Sequence, residues 1–224
     1  MLLIVVMLVL APQVQAKKRP KINVVQVNEP DDSWILTTED NSYYTTNYGN
    51  ISLEHSGADG LDIGLSVQNI SLSGSGDAQN YNNDSYLQVS KTYDTDFGEV
   101  SFGSQNGFHF ASQNTHKLHS FEYFDALYEA TDYIKVHSGI YYVNKGLSTT
   151  DHHVGFITGI IIGDSNLYIQ TDYFSGHSNV SGAQSAIYYS PYPFIKAYTG
   201  VLVPEKNSGN EFAGVIGVQW IFNN

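Results

Sequence analysis

Apolar and polar side chains alternate along most of the chain after residue 32. The clearest run is Leu61–Gln68, in which every odd position is aliphatic and every even position is polar, charged or glycine. Alternation of period two puts the two kinds of side chain on opposite faces of a β-strand. The pattern recurs in residues 133–142, 167–173, 195–203 and 212–222, and even the most helix-like stretch, Phe121–Ala130, is predicted to be a strand. We therefore predict an all-β protein.

The connections between the predicted strands alternate in length. Short turns are predicted at Ser56–Gly60, Asp94–Gly98, Ala130–Asp132, Gly163–Ser165 and Ser190–Pro193. Longer connections are predicted at Ser73–Asn83, Ser112–Lys117, Asn144–Thr150, Gly176–Ser181 and Pro204–Asn210. Short turns at one end and long loops at the other are typical of transmembrane β-barrels of bacterial outer membranes.

These connections separate eleven strands between Tyr43 and Phe222, and the first of them enters a short turn. A preceding strand is therefore needed, and Ser33–Thr38, joined through Glu39–Ser42, supplies it. An even number of strands returns both ends of the chain to the short-turn side. We predict a closed antiparallel transmembrane barrel of about twelve strands over residues 33–222, with ten strands as the alternative.

The first residues are typical of a secretory signal. The apolar run Leu2–Ala11 is followed by Pro12 and by Val14–Ala16, whose small residues suit signal peptidase. We predict a signal peptide over residues 1–16; a buried strand or an uncleaved segment is the alternative. Residues 17–32 are predicted to form a periplasmic tail, which contacts peptidoglycan or a partner or is disordered.

Charge and composition narrow the range of functions. The 224 residues include no cysteine, which excludes disulfides, thiolate zinc sites and a cysteine nucleophile. The chain has 10 Lys+Arg against 22 Asp+Glu, a net charge of −12, so nucleic acid is not an expected partner. No cofactor is expected.

Aromatic side chains concentrate near the ends of the predicted strands, as in the girdles that mark the two interfaces of a membrane barrel. They are Tyr43, Tyr44, Tyr93, Phe97, Phe108, Phe110, Tyr141, Tyr142, Tyr173, Phe174, Tyr189, Tyr192 and Phe194. Aliphatic side chains cannot fill the interior of a twelve-stranded barrel, so the apolar face is expected to meet lipid. A secreted soluble β-sandwich is the alternative.

The last strand carries a second membrane signal. Gly217 is followed at +3 by Trp220 and at +5 by Phe222. This pattern resembles the insertion signal of Gram-negative outer-membrane proteins, although Asn223 and Asn224 follow the usual terminal aromatic. The resemblance implies insertion by the barrel-assembly machinery, with outer-membrane lipid and lipopolysaccharide as partners. The even number of strands, with both ends of the chain on the short-turn side, predicts both termini in the periplasm.

In size and strand number the chain is also similar to small twelve-stranded channels, such as oligogalacturonate-specific porins and nucleoside channels. The arginine tracks of the former are absent, because the sequence has a single arginine, Arg19. Acidic sugars are therefore not expected as solutes.

The polar face of the strands predicts the lining of a lumen. The predicted pore-lining residues are Asp62, Gln68, Gln88, Glu99, Gln105, Lys135, His137, Gln170, Asp172 and Lys196. A net negative lumen favours cations, so we expect a porin-like channel for small cationic or neutral solutes. The alternative is a non-conducting structural or surface-interaction barrel with a filled interior, including one that is a partner of an envelope export system.

The histidines raise two further hypotheses, a metal site and a lipid hydrolase. A divalent-metal site in the long loops is a speculative hypothesis, and solvated loop histidines are the alternative; the candidate ligands are His116, His119, His153 and His177. His177-Ser178 superficially resembles the histidine and serine of outer-membrane phospholipases, but adjacent strand residues point to opposite faces. An enzyme is therefore not expected, with a lipid hydrolase as the less favoured alternative.

Overall fold

The computed structural model describes residues 32–44, 46–74, 83–110, 117–148, 151–208 and 210–223. Within these residues the chain forms twelve β-strands, which confirms the predicted number. They are β1 Ser33–Ser42, β2 Thr46–Ser56, β3 Leu61–Gly74, β4 Asn83–Thr95, β5 Gly98–Phe110, β6 Lys117–Thr131, β7 Ile134–Val143, β8 Val154–Gly163, β9 Leu167–Phe174, β10 Gly182–Tyr192, β11 Ile195–Pro204 and β12 Ala213–Asn223. The predicted signal peptide lies outside the described residues, as does the predicted tail except for Asp32.

Every strand pairs antiparallel with its neighbours in sequence, and the sheet closes on itself. The closing pair is β1 with β12, in which Ser33 lies opposite Asn223 and Ser42 lies opposite Gly214. A closed sheet leaves no strand edge, so the backbone groups of every strand have partners even in lipid. The predicted closed, all-β barrel is confirmed. No helix in the described ranges is long and apolar enough to cross a membrane.

The connections that the structure describes alternate in length nearly as predicted, whereas most of the predicted long connections Ser73–Asn83 and Ser112–Lys117 lies outside the described residues. Short turns join β2 to β3, β4 to β5, β6 to β7, β8 to β9 and β10 to β11 at one end of the barrel, which we call the short-turn end. At the opposite end, the loop end, residues 144–153, 175–181 and 205–212 form longer connections. The prediction of a linker at Glu39–Ser42 was wrong, because these residues pair with both β12 and β2, and the turn lies at residues 43–45 instead.

The apolar face of the strands points outward. Leu65 and Ile216 are 61% and 59% exposed, whereas the interior residues Asp125 and His137 are 2% and 3% exposed. A water-soluble barrel has the reverse arrangement. The exterior therefore presents an apolar surface suited to lipid.

Aromatic side chains lie on the exterior towards both ends of the barrel, but the girdle prediction was wrong for Tyr141 and Phe174, which are 3% and 1% exposed in the interior. Exposed aromatics near the loop end include Phe108, Tyr142 and Phe156, and those near the short-turn end include Phe97, Tyr128, Tyr192, Phe194 and Phe222. Tyr133, which the alternation places inside, instead lies in the turn between β6 and β7 and is 63% exposed.

Tyrosines that point inward lie against glycines of the adjacent strand. A Cβ atom on any of these glycines would fall 2.2–2.4 Å from the opposing tyrosine ring. The pairs, directly opposite each other in the sheet, are Tyr86 with Gly107, Tyr123 with Gly103, Tyr141 with Gly155, and Tyr198 with Gly217. Glycine thus provides the space in which a large side chain lies flat along the inner wall and reaches beyond its neighbouring strand.

Candidate functional site: the barrel interior

The structure places all ten predicted pore-lining side chains on the interior face of their strands. Six of them are buried: Gln68, Gln105, His137, Asp172 and Lys196 are each at most 4% exposed, and Gln170 is 8% exposed. Asp62, Gln88, Glu99 and Lys135 are partly exposed. This placement fixes the face on which each residue lies, and the role of these residues in a pore stays a prediction.

A chain of hydrogen bonds follows the inner wall of the barrel from β1 to β5. Asn50 Nδ2 donates to Glu39 Oε1 over 2.8 Å, and Asn50 Oδ1 accepts from the backbone N–H of Asn69 over 2.9 Å. Asn69 Nδ2 then donates to Asp84 Oδ2 over 2.6 Å, and Asp84 Oδ1 lies 2.6 Å from His109 Nδ1. Buried polar groups linked in this way hold one another in fixed positions.

A bulge in β3 makes this chain possible. The pairing of β2 with β3 shifts in register beside Gly49 and Ile51, and Asn69 has a left-handed backbone with φ of 61°. Both Gln68 and Asn69 are consequently buried, although consecutive strand residues normally face opposite sides. Strict alternation in the sequence could not reveal the interior position of Asn69.

On the other side of the interior, His137 lies between two carboxylates. Its Nδ1 atom is 3.1 Å from Asp125 Oδ2, and its Nε2 atom is 2.8 Å from Asp172 Oδ1. Gln170 and Gln184 donate to Asp172 Oδ2 over 3.0 and 2.8 Å. Since a carboxylate only accepts, both bonds form when the imidazole carries two protons or one carboxyl group carries the second.

Gly159 allows His137 to span three strands. His137 on β7 faces Gly159 on β8, where a Cβ atom would lie 2.1 Å from Nε2 of the imidazole. The imidazole passes over this glycine and reaches Asp172 on β9. The triad Asp125–His137–Asp172 therefore ties β6, β7 and β9 together.

Apolar clusters lie on both sides of this triad along the barrel axis. The cluster towards the loop end, which we call the upper cluster, consists of Phe121, Tyr123, Tyr141, Val143, Leu147, Ile157, Phe174 and Val180. Towards the short-turn end Leu127, Ile161 and Tyr168 form a second cluster with Tyr188. The interior beside β6–β9 is thus filled by side chains, which the prediction of a polar lumen did not foresee.

Two loops contribute residues to the upper cluster, and hydrogen bonds join these loops above it. Leu147 and Val180 come from the connections after β7 and β9, and both are at most 1% exposed. Asn179 N donates to Leu147 O over 2.9 Å, and Asn210 Nδ2 donates to Asn179 O over 2.6 Å. The described residues of the three long connections, 144–148 with 151–153, 175–181, and 205–208 with 210–212, therefore form a joined cap over one side of the loop end.

Among the described residues, two small cavities in the polar part of the interior border the same carboxylate. The smaller, about 20 Å³, is bordered by Glu39, Glu54, Gln68 and Gln88 among others. The larger, about 50 Å³, is bordered by Glu39, Asn41, Gln170, Asp172, Gln184, Tyr188 and Tyr198 among others. Glu39 borders both cavities, so this carboxylate stands between them.

The three described histidines of the proposed metal site, His119, His153 and His177, do not come together. His119 lies in the barrel interior with Nδ1 2.8 Å from Tyr86 OH, whereas His153 and His177 lie beside the backbone carbonyls of Val143 and Lys206. In the part of the chain that the structure describes, no three His, Cys, Asp or Glu side chains are grouped as metal ligands. The fourth candidate, His116, lies outside those residues.

The histidine and serine at 177–178 are likewise not arranged for acyl transfer. Ser178 is 2% exposed, and its hydroxyl lies 3.0 Å from Ser181 Oγ and 3.4 Å from Tyr141 OH. His177 Nδ1 lies 3.2 Å from the carbonyl oxygen of Lys206. Activation of a serine requires a base within hydrogen-bond distance of its hydroxyl, and the serine hydroxyl here is engaged by other hydroxyl groups.

The residues of the insertion pattern lie on both faces of β12. Gly217 is buried in the interior, beneath Tyr198, whereas Trp220 and Phe222 lie on the outer face, with Phe222 53% exposed. Their role in insertion stays a prediction.

Comparison with known proteins identifies solved structures with a similar fold. No protein-family model matches the sequence, and no curated protein matches it. A KdgM porin in complex with disordered oligogalacturonate aligns with a TM-score of 0.56 and 15% sequence identity, over 84% of this chain and 98% of that one. The NanC porin aligns with a TM-score of 0.54 and 11% identity, over 85% of this chain and 99% of that one.

The fold is that of a porin-like outer-membrane β-barrel. At these identities the similarity concerns the path of the backbone, and it assigns the chain to no specific porin family. The charged residues of the interior must therefore be interpreted from this chain alone.

Proposed function

We propose that this barrel is embedded in a bacterial outer membrane, with both termini in the periplasm, and forms a narrow porin-like passage for small cationic or neutral solutes. The apolar exterior, the even number of strands and the difference in loop length between the two ends support this location. Lipopolysaccharide and membrane lipid would surround the exterior, and the barrel-assembly machinery would insert the chain.

The observation that carries the proposed selectivity is the position of Glu39. This carboxylate borders both interior cavities, which are also bordered by Glu54 on one side and Asp172 on the other. Carboxylates along a narrow passage attract cations and repel anions. This negative lining would repel polyanions such as the oligogalacturonate bound by the KdgM porin. The single arginine of the chain, Arg19, precedes the barrel in the sequence.

The interior lysines Lys135 and Lys196 lie away from the lining of the two cavities. Lys135 pairs with Glu129 near the short-turn end. Lys196 is 3% exposed, and its ammonium lies 5.9 Å from the centre of the Tyr168 ring. Neither lysine borders the two cavities described above.

The size of the cavities limits the solutes. A water molecule needs about 10–15 Å³ of such space, so the smaller cavity holds about one water and the larger about three or four. Solutes larger than a partly hydrated ion would pass only if side chains moved.

Planar-bilayer recordings test this proposal. Purified wild-type protein is expected to give small single-channel steps whose reversal potential in a KCl gradient shows cation preference. Glu39→Gln should shift that potential towards zero, whereas Asp151→Asn, an exposed change in the connection between β7 and β8, should leave it closer to the wild-type value. Anion preference in the wild type, or an unchanged potential in Glu39→Gln, would contradict the proposed selectivity.

One observation favours a second candidate, a non-conducting structural or surface-interaction barrel. Interior polar side chains including Glu54, Gln105 and Asp125 are at most 6% exposed, so they are packed rather than bathed in bulk water. This candidate predicts no single-channel steps at either polarity from correctly folded protein.

A further inference from the structure

We propose that the outer face of β5 and β6 is the contact surface of a dimer, with a second copy of this chain as the partner. The surface centres on four polar side chains, Ser104, Asn106, Ser120 and Glu122, which we call the outer polar cluster. The proposal rests on the membrane location proposed above and does not depend on conduction through the barrel.

The register of the strands places the outer polar cluster on the exterior. Asn106 on β5 lies opposite Ser120 on β6, and Ser104 lies opposite Glu122. Gln105, between Ser104 and Asn106 in the sequence, is 4% exposed in the interior. Since consecutive strand residues face opposite sides, its two neighbours point outward. Asn106 is exposed, and the other three cluster residues are partly exposed.

The outer polar cluster lies within the apolar belt of the exterior. Phe108 and Leu118 are exposed on its loop-end side, and Phe102 and Phe124 are exposed on its short-turn side. In a membrane the cluster therefore faces hydrocarbon, which offers no hydrogen-bond partners. A charged side chain such as Glu122 is costly on the lipid-facing surface of a barrel, so a partner that covers the cluster would stabilise the protein.

The hydrogen bonds within the cluster do not fully supply its acceptors. The Ser120 hydroxyl lies 2.8 Å from Asn106 Oδ1 and also contacts Glu122 Oε1. A hydroxyl group has a single proton to donate. Ser120 therefore cannot fully satisfy the amide oxygen and the carboxylate at the same time.

The same cluster has donors to spare. Asn106 Nδ2 donates to Ser104 Oγ over 2.6 Å. A side-chain amide has two N–H groups and a hydroxyl has one O–H, so the second N–H of Asn106 and the O–H of Ser104 remain. Among the described residues no side chain accepts from either of them. Two copies of the cluster complement each other, because the spare donors of one match the poorly supplied acceptors of the other.

A second copy of the chain also presents its cluster at the correct depth. Two barrels inserted in the same direction are related by a two-fold axis along the membrane normal, and such an axis brings each surface against itself. With the exposed Asn106 nearest the axis, the two Glu122 side chains, each one strand away, would lie about 10 Å apart on opposite sides. This separation limits the repulsion between the two carboxylates.

A lipid headgroup fits the cluster less well than a second copy does. The phosphates and acidic sugars of lipopolysaccharide are anionic, and the cluster contains a carboxylate and no basic side chain. β5 has no Lys or Arg, and the single one of β6, Lys117, shares a face with the interior residue His119. Charge therefore favours the protein partner.

Sedimentation equilibrium of the purified, refolded barrel in a density-matched detergent tests this surface. The wild type is expected to show a monomer–dimer equilibrium. Asn106→Leu should raise the dissociation constant of the dimer about tenfold, because the two-fold axis repeats each lost hydrogen bond. The matched control is Thr199→Leu, an exposed exterior change on β11, six strands away around the barrel; it should keep the wild-type dissociation constant.

A gel comparison of heated and unheated samples shows whether each variant is folded. If Asn106→Leu does not fold, Ser104→Ala, which removes the spare hydroxyl, should weaken the dimer in its place. Equal dissociation constants for the wild type and the folded cluster variant would overturn the surface, and so would a wild type that is monomeric at every concentration.

Two other occupants of the surface would be recognised by the same variants. A monomeric wild type that retains lipopolysaccharide, detected by mass spectrometry and lost in Asn106→Leu, would assign the surface to lipid and overturn the dimer. A wild type that is monomeric when pure but cross-links in cells to a protein of another mass, only when Asn106 is present, would overturn it in favour of that protein.

The outcomes separate the dimer from the proposed function. A monomeric barrel that fractionates with outer membranes and conducts cations would retain the proposed function and refute the dimer. A dimeric barrel without conductance would retain the dimer and refute the passage.

Discussion

Tyr198 lies over Gly217 of the neighbouring strand, and its hydroxyl donates a hydrogen bond of 2.6 Å to Glu39 Oε2. The contact joins β11 to β1 across β12, at the seam where the barrel closes. It depends on glycine, because a Cβ atom at residue 217 would lie 2.2 Å from Cζ of the Tyr198 ring. One residue of the insertion pattern thus has a structural role inside the barrel.

Gly217→Ala is expected to destabilise the folded barrel by about 1–3 kcal/mol, the usual cost of overpacking a filled interior. The added methyl group would displace the Tyr198 ring and break its hydrogen bond to Glu39. Urea unfolding of the protein refolded in lipid vesicles measures the loss. The matched control is Gly214→Ala on the same strand, where an added Cβ meets no atom within 4 Å.

A second substitution checks the mechanism of this loss. If the clash with the ring is the cause, Tyr198→Leu should cost stability by itself but should make Gly217→Ala nearly neutral in the same background. Full additivity of the two changes would contradict the proposed contact.

The predicted role of Phe222, an exterior residue of the insertion pattern, can be tested separately. Phe222→Ala should lower the yield of folded barrel in the outer membrane of cells, because the resemblance assigns this residue to recognition by the assembly machinery. Refolding of the purified chain into detergent should be nearly unchanged, since Phe222 lies on the exterior and is 53% exposed. Phe108→Ala, a similarly exposed exterior change on β5, is the control. Equal yields in cells would refute the insertion role.

The triad around His137 predicts a large cost for losing the imidazole. His137→Leu would leave the carboxylates of Asp125 and Asp172 buried at 2% and 4% exposure without the group between them. Removing one partner of a buried charged group typically costs about 3–5 kcal/mol. Urea unfolding should show this loss, and Asp125→Asn combined with Asp172→Asn should recover part of it in the His137→Leu background. His152→Leu, in an exposed loop, should have little effect.

Much of the fold follows from the sequence because alternation of period two determines which side of a sheet each residue occupies. Gly, Asp, Asn and Ser clusters also mark turns through their local backbone preferences. The short turns after β4 and β6 lie within two residues of their predicted positions. The first connection was misplaced because Glu39–Ser42 is polar, and polarity alone does not distinguish a loop from a strand whose side chains face a polar interior.

The interior network was less predictable for a different reason. Asn50, Asn69 and Asp84 meet through side chains on three strands and through a bulge, and neither strand register nor bulges are visible in a single sequence. The inward folding of Leu147 and Val180 also depends on tertiary contacts between loops. The only sign in the sequence that Leu147 and Val180 would be buried was that each is a single apolar residue within a mostly polar loop.

Substitutions in the cap at the loop end are expected to open the loops locally and to leave the barrel folded. Leu147 is 1% exposed and belongs to the upper apolar cluster, so Leu147→Ala should cost about 2–5 kcal/mol in that region. Because the strands pair through backbone hydrogen bonds independently of the cap, the loss should open the loops before it unfolds the barrel. Limited proteolysis should then cut within residues 144–153 or 175–181 faster than in the wild type. The barrel itself should stay folded, which a gel comparison of heated and unheated samples would show. Lys145→Ala, an exposed change in the same loop, should be cut at the wild-type rate; equal rates for Leu147→Ala would show that the loop is held without the apolar contact.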